Sequence, residues 1–192
     1  MLYRNLAWAA LVMAASFTGG CGTTVGNGAV SMSYASYSSR YSASSVSSRA
    51  SRPLDVYTAL TQISLCYSTV RFKSASGTSS GDIALSLGSV TLNPSGTQLA
   101  TVAVPNGTYT RVEFDLDSHC TSGMSVALQT ALGVSIGTAS TVTIGFNGNF
   151  TVDGSTSPQP LSMNIQPLVS ALEGVSAGSD IVGITQTVNG SF

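Results

Sequence analysis

Residues 105–118 read PNGTYTRVEFDLDS, and this run decides the fold. Pro105-Asn106-Gly107 is a turn signal, because Pro presets φ and Gly accepts backbone that other side chains resist. Behind it, apolar and polar residues alternate. Val112, Phe114 and Leu116 fall on one parity, while Arg111, Glu113, Asp115 and Asp117 fall on the other, with His119 two residues further. Successive side chains of a strand point to opposite faces, so the first set faces a core and the second faces solvent. The strand is expected over Thr108 to Ser118.

The same punctuation extends in both directions. From Pro53 to Phe192, short β-branched runs alternate with Gly, Pro, Asn and Asp, the spacing of an all-β sandwich or barrel. The other candidate strands are Thr61 to Lys73, Ile83 to Leu92, Gln98 to Val104, Met124 to Thr130, Ser140 to Val152, Leu161 to Ile165 and Ile181 to Val188. Asn93-Pro94-Ser95-Gly96 fits a tight turn between two of them. In the first long strand the parity slips between Tyr67 and Val70, which places a bulge near Tyr67 to Thr69. Asn147-Gly148 fits either a two-residue hairpin or a bulge inside one long strand, and the flanking residues do not choose. One short helix is expected over Pro167 to Glu173, with Pro in its first turn and Gly174 past its end.

Composition bounds the function. Of 192 residues only 8% are charged, 43% are hydrophobic, and the net charge is −1. Without a basic block there is no surface to follow nucleic-acid phosphates, so no nucleic-acid partner is expected. The chain has one His, three Cys and one Trp, little material for catalysis. A Ser–His–Asp triad would need His119, and no Gly-x-Ser-x-Gly elbow precedes a helix. No cofactor fingerprint is present, and the expectation is a non-enzyme, with a secreted hydrolase as the weakest alternative.

The N-terminus reads as a secretory signal. Arg4 precedes an apolar stretch from Leu6 to Ala15, too short for a bilayer span of about 20 residues. The following Ser16-Phe17-Thr18-Gly19-Gly20-Cys21 resembles the lipobox of bacterial lipoproteins. That resemblance implies a signal over 1–20, acylation at Cys21 and, with Gly22 rather than Asp next, sorting to the outer membrane. The acyl chains would supply membrane affinity of about 0.8 kcal/mol per buried CH₂. Residues 21–52, rich in Ser, Gly and Ala, read as a disordered flexible tether with too few large apolar side chains to fold. Tyr34, Tyr37 and Tyr41 read as scattered residues of that spacer. The folded domain is then 53–192.

The piece VAVPNGTYTRVEFDLDS, residues 102–118, resembles the Gly-Thr-Tyr turn and strand of prealbumin-like sandwiches. With ISLCYSTVRF before it and FTVDG…LSMNI after it, roughly residues 54 to 170 are similar to a family of uncharacterised bacterial lipoproteins with carboxypeptidase-regulatory-like domains. The resemblance implies a prealbumin-like or immunoglobulin-like antiparallel β-sandwich of about seven to eight strands, with Tyr109 packing at a structural corner. It implies no catalytic residue.

Two constellations remain. Cys66 and Cys120 lie on or beside expected core strands, and in an oxidising envelope they are expected to form a disulfide. Closing a loop of that length contributes on the order of 4 kcal/mol in the chain-entropy model. A Cys–His metal site with His119 is set aside, because such sites usually take three or four ligands. Glu113, Asp115 and Asp117 are calcium candidates only if loop oxygens converge on them, so the expectation is no metal and a solvated face paired with Arg71, Lys73 and Arg111. Taken together, the expected protein is an outer-membrane-anchored lipoprotein, its membrane partner reached through the N-terminal lipid. Its sandwich binds envelope glycans or proteins, or serves structure there. The alternative is a subunit of a surface assembly built by strand addition, with IVGITQTVNGSF as donor.

Overall fold

A computed structural model describes residues 26–39, 60–155, 157–175 and 178–192. The expected signal, Cys21, Tyr41, the tether outside 26–39 and the expected domain start at Pro53 lie outside the described residues. No helix among the described residues is long and apolar enough to cross a membrane.

The chain runs β1 (Asn27–Tyr34), β2 (Leu60–Lys73), β3 (Ile83–Thr91), β4 (Thr97–Pro105), β5 (Gly107–Leu116), β6 (Val126–Thr130), β7 (Ser135–Thr138), β8 (Val142–Val152), β9 (Gln159–Met163), α1 (Gln166–Leu172), α2 (Ile181–Thr187) and β10 (Asn189–Ser191). These form an all-β sandwich. A three-stranded sheet has the order β4-β1-β9, and a seven-stranded sheet runs β10-β8-β5-β2-β6-β7 with β3 paired to β2. Most pairs are antiparallel, but β1–β9 and β10–β8 are parallel, so the sandwich is mixed. The strand count exceeds the expected seven to eight because β1, β7 and β10 are short or Ser- and Gly-rich and carry a weak pattern.

β5 is built as its alternation dictates. Val112, Phe114 and Leu116 are fully buried, and the strand pairs with β2 on one side and β8 on the other. The bulge in β2 lies where the parity slips, between Tyr67 and Thr69. Asn147 and Gly148 do not turn the chain: they belong to one long β8 whose pairing with β5 shifts between Tyr109 and Arg111. The Asn93 turn closes with a Gly96 N–H to Asn93 carbonyl bond of 2.9 Å, and Gly96 takes φ 108°, which a side chain resists. α1 carries Pro in its first turn and buries Leu168, Val169 and Leu172.

Two expectations are overturned. The tether over 21–52 fails at Asn27–Tyr34, which is β1, the middle strand of the smaller sheet. Val30, Met32 and Tyr34 point inward while Ala29, Ser31 and Ser33 point outward, so a strand needing only one apolar face hides inside Ser-rich sequence. Tyr34 stacks near Tyr67, Phe114 and Phe146, and its hydroxyl meets that of Tyr67 at 2.6 Å. Tyr37 is half-buried and donates to the Leu92 carbonyl at 3.2 Å. Neither is a spacer residue.

The second correction falls on Ile181 to Val188, expected as a strand. Residues Ile181–Thr187 are helical because Asp180 accepts from the Gly183 N–H at 2.9 Å and caps the first turn. Ile181 and Thr185, one helical turn apart, are both buried. The last residues already pair, as β10, with β8 of their own sheet. The C-terminal segment is therefore not a free donor strand.

Candidate functional site

Chemistry-bearing side chains gather in two places on β2 and β5. The first is the solvent face of the larger sheet. Arg71, Lys73 and Arg111 are the Lys and Arg residues among those described, and all three stand here. The register pairs Arg71 with Glu113 and Lys73 with Arg111, so alternate residues of two neighbouring strands interleave their charges. Arg71 reaches both oxygens of Asp115, at 2.7 and 2.9 Å, and Asp82 at 3.1 Å. Glu113 accepts from Lys73 at 2.7 Å and from Arg111 at 2.7 Å. Thr69 and Thr143 donate to Asp115, and Arg111 also reaches Asn147 and Asn189. The guanidinium of Arg111 lies over Gly145, where any side chain would collide with it.

Burial raises the Glu113 carboxyl, but hydrogen bonds and charge from Lys73 and Arg111 outweigh it and hold the group below its usual range. Within this face Glu113 is the buried member, only 8% exposed, whereas the Lys73 and Asp82 side chains are 42% and 61% exposed. The calcium candidates do not converge. Glu113 and Asp115 spend their oxygens on cations and hydroxyls, and Asp117 turns to His119. Asp82 pairs with Arg71, Asp153 accepts from the Ser155 N–H, and Asp180 caps α2.

The second gathering lies at the end of β5. Cys66 of β2 is joined to Cys120 in the following loop by a disulfide with a Cα–Cα distance of 5.9 Å. Beside it stand His119 and Asp117. The Asp117 carboxylate accepts from the His119 N–H at 3.0 Å and contacts its Nδ1. These two bonds, backbone first, hold the Asp117 carboxyl below the usual range. His119 Nδ1 is 3.7 Å from Cys66 Sγ, and Asp117 Oδ1 is 4.0 Å from it. His119 is the imidazole weighed with the cysteines from the sequence; the Asp117 carboxylate, which approaches the same sulfur, was not. The signal was present in Asp117-Ser118-His119-Cys120, four consecutive residues carrying three ligand types.

The Tyr109 hydroxyl donates to the Pro105 carbonyl at 2.7 Å and its ring meets Phe72 edge-on. This closes the turn between β4 and β5, which belong to different sheets. A cleft of about 160 Å³ opens between Tyr37, Ile63, Leu92, Val169 and Glu173. Ser39 donates to Glu173 there at 2.7 Å. Comparison of the chain with family models, with curated proteins and with solved structures found no match.

Proposed function

We propose that the chain is an exported lipoprotein, anchored through Cys21, whose sandwich serves binding or structure at the cell envelope without catalytic turnover. The observation that carries this reading is the Cys66–Cys120 disulfide, a bond that persists in oxidising compartments and is rare where thiols are kept reduced. It agrees with the apolar Leu6 to Ala15 stretch and with the Gly20-Cys21 pair. The paired sheet face supports a non-catalytic role, since Glu113 and Asp115 are engaged by structural partners rather than poised for proton transfer.

Expression of the full chain in a Gram-negative host tests the anchor. The parent is expected in the membrane fraction, with a mature mass that begins at an acylated Cys21. Cys21→Ser is expected in the soluble fraction or as unprocessed precursor. An identical mass and an identical membrane fraction for both would remove the anchor.

A further inference from the structure

We propose that Cys66, Cys120 and His119, with Asp117, form a redox-gated site for a zinc-class divalent cation: closed while the disulfide stands, open when it is reduced. One donor atom from each of Cys66, Cys120 and His119 lies within 4.8 Å of the others. In a tetrahedral zinc site, metal–sulfur bonds near 2.3 Å and metal–nitrogen bonds near 2.0 Å set donor–donor edges of about 3.5–3.8 Å. The 3.7 Å from Cys66 Sγ to His119 Nδ1 already matches such an edge, and the 4.0 Å to Asp117 Oδ1 lies just outside it. Two contacts must open: the sulfurs part by rotation about their side-chain bonds over a Cα spacing of 5.9 Å, and the Asp117 Oδ1–His119 Nδ1 contact, shorter than such an edge, widens by rotation of these two partly exposed side chains.

Backbone hydrogen bonds anchor both cysteines alongside the sulfur–sulfur bond. The Cys66 N–H donates to the Ser125 carbonyl at 2.9 Å, and its carbonyl accepts from the Asp117 N–H at 3.1 Å. The Cys120 carbonyl accepts from the Gly123 N–H at 2.8 Å. These bonds fix the backbone that carries the two sulfurs without using the sulfurs themselves. The cysteines are buried, whereas the Asp117 and His119 side chains are 34% and 49% exposed, so a cation enters from the carboxylate–imidazole side. Two thiolates, one imidazole and one carboxylate form a donor set suited to Zn²⁺ rather than Ca²⁺ or Mg²⁺, which take oxygen.

The chemistry balances with a phosphine as reductant. The phosphine and one water convert the disulfide to two thiols and a phosphine oxide. The cation then displaces the two thiol protons to solvent. Oxidation by a diazene carboxamide reverses the change: its N=N bond takes the two electrons from the thiolates and two protons from solvent to become a hydrazine, the sulfurs return to the disulfide, and the metal is released.

The test uses the full chain carrying Cys21→Ser, so that a third thiol does not contribute. After anaerobic phosphine reduction, Co²⁺ is added as a spectroscopic probe. The reduced protein is expected to bind one equivalent, with thiolate-to-cobalt charge transfer and the visible bands of a tetrahedral site. The oxidised protein is expected to show neither. His119→Ala is expected to weaken Co²⁺ binding at least about tenfold, and Asp117→Asn less. Zn²⁺ is expected to slow diazene re-oxidation of the thiols in the parent and not in His119→Ala. No charge transfer in the reduced parent, equal binding by oxidised protein, or unchanged affinity in both variants would overturn the site. So would loss of the β-sheet circular dichroism on reduction that Co²⁺ does not restore.

Discussion

β1 and α2 invert each other's sequence. Asn27–Tyr34 is NGAVSMSY, a stretch of small and polar residues, and it is the middle strand of its sheet. Ile181–Thr187 is IVGITQT, rich in β-branched residues, and it is a helix. Composition alone assigns both wrongly. What decides each is the periodicity of the few large side chains and the chemistry at the ends. Val30, Met32 and Tyr34 recur every second residue, and Ser at the alternate positions costs nothing on a solvent face. Ile181 and Thr185 recur at four, behind an Asp that satisfies a first-turn N–H.

Removing β1 is expected to have the most severe effect on the fold. A chain that starts at Pro53 was expected to fold if the preceding residues were only a tether. It instead loses Val30, Met32 and Tyr34, none more than 2% exposed. Each such deletion costs about 2–5 kcal/mol. Together they approach the whole stability of a domain, about 5–15 kcal/mol. β4 and β9 also lose their shared neighbour, leaving two rows of unpaired backbone groups. The Pro53–Phe192 chain is expected to show no cooperative melt and no near-ultraviolet dichroism. A melt as sharp as that of the full chain, within a few degrees, would return residues 27–34 to the role of a spacer.

The legible part of the fold was the part with dense alternation. β2, β4 and β5 lie within a residue or two of their expected bounds, because each carries a long periodic run between turn residues. The β2 bulge was readable as a change of parity at Tyr67. β7, Ser135–Thr138, was invisible: four residues with partial burial give no period to count. The partner of a strand was equally hidden, since β4 and β5 are joined by a tight turn yet lie in different sheets. At the candidate site, the disulfide was expected from the strand placement of the two cysteines and an assumed oxidising compartment. The approach of Asp117 and His119 to Cys66 depends on the register of β2 against β5, a long-range fact that no local pattern carries.

A gentler change probes what β1 contributes besides area. The Tyr34 and Tyr67 hydroxyls satisfy each other in a site closed to water. Tyr34→Phe keeps the ring and leaves the Tyr67 hydroxyl alone, an expected loss of about 1–3 kcal/mol. Adding Tyr67→Phe removes the orphan and is expected to recover much of that loss. The pair also sets an alkaline limit. Burial raises both phenols above the ordinary value of 10.0. Their protonated state is then neutral in both folded and unfolded chain below that pH. Above it the unfolded chain releases protons that the folded one retains, so stability falls as pH rises. Urea midpoints measured at neutral pH and at about pH 11 are expected to drop in the parent and to drop less in the double Phe variant. Equal drops would mean that other phenols set the limit.

At α2 a single end-cap change is expected to have a smaller effect. A helix of seven residues with Gly at its third position and five β-branched side chains has poor intrinsic propensity. Two things oppose that. Asp180 accepts from the Gly183 N–H, and Ile181 and Thr185 enter the core, where the Thr185 hydroxyl donates to the Ile181 carbonyl at 2.6 Å. Asp180→Ala removes the cap without touching the packing, and is expected to cost about 1 kcal/mol. Amide exchange at Gly183 is expected to quicken by the corresponding factor, while amides of β5 move only as far as global stability does. Asp180→Asn, which keeps an acceptor oxygen, is expected to retain most of the protection. If Asp180→Ala leaves both the urea midpoint and the Gly183 amide unchanged, packing of Ile181 and Thr185 alone makes this segment a helix. The end-cap would then have no part in separating IVGITQT from the strand its residues favour.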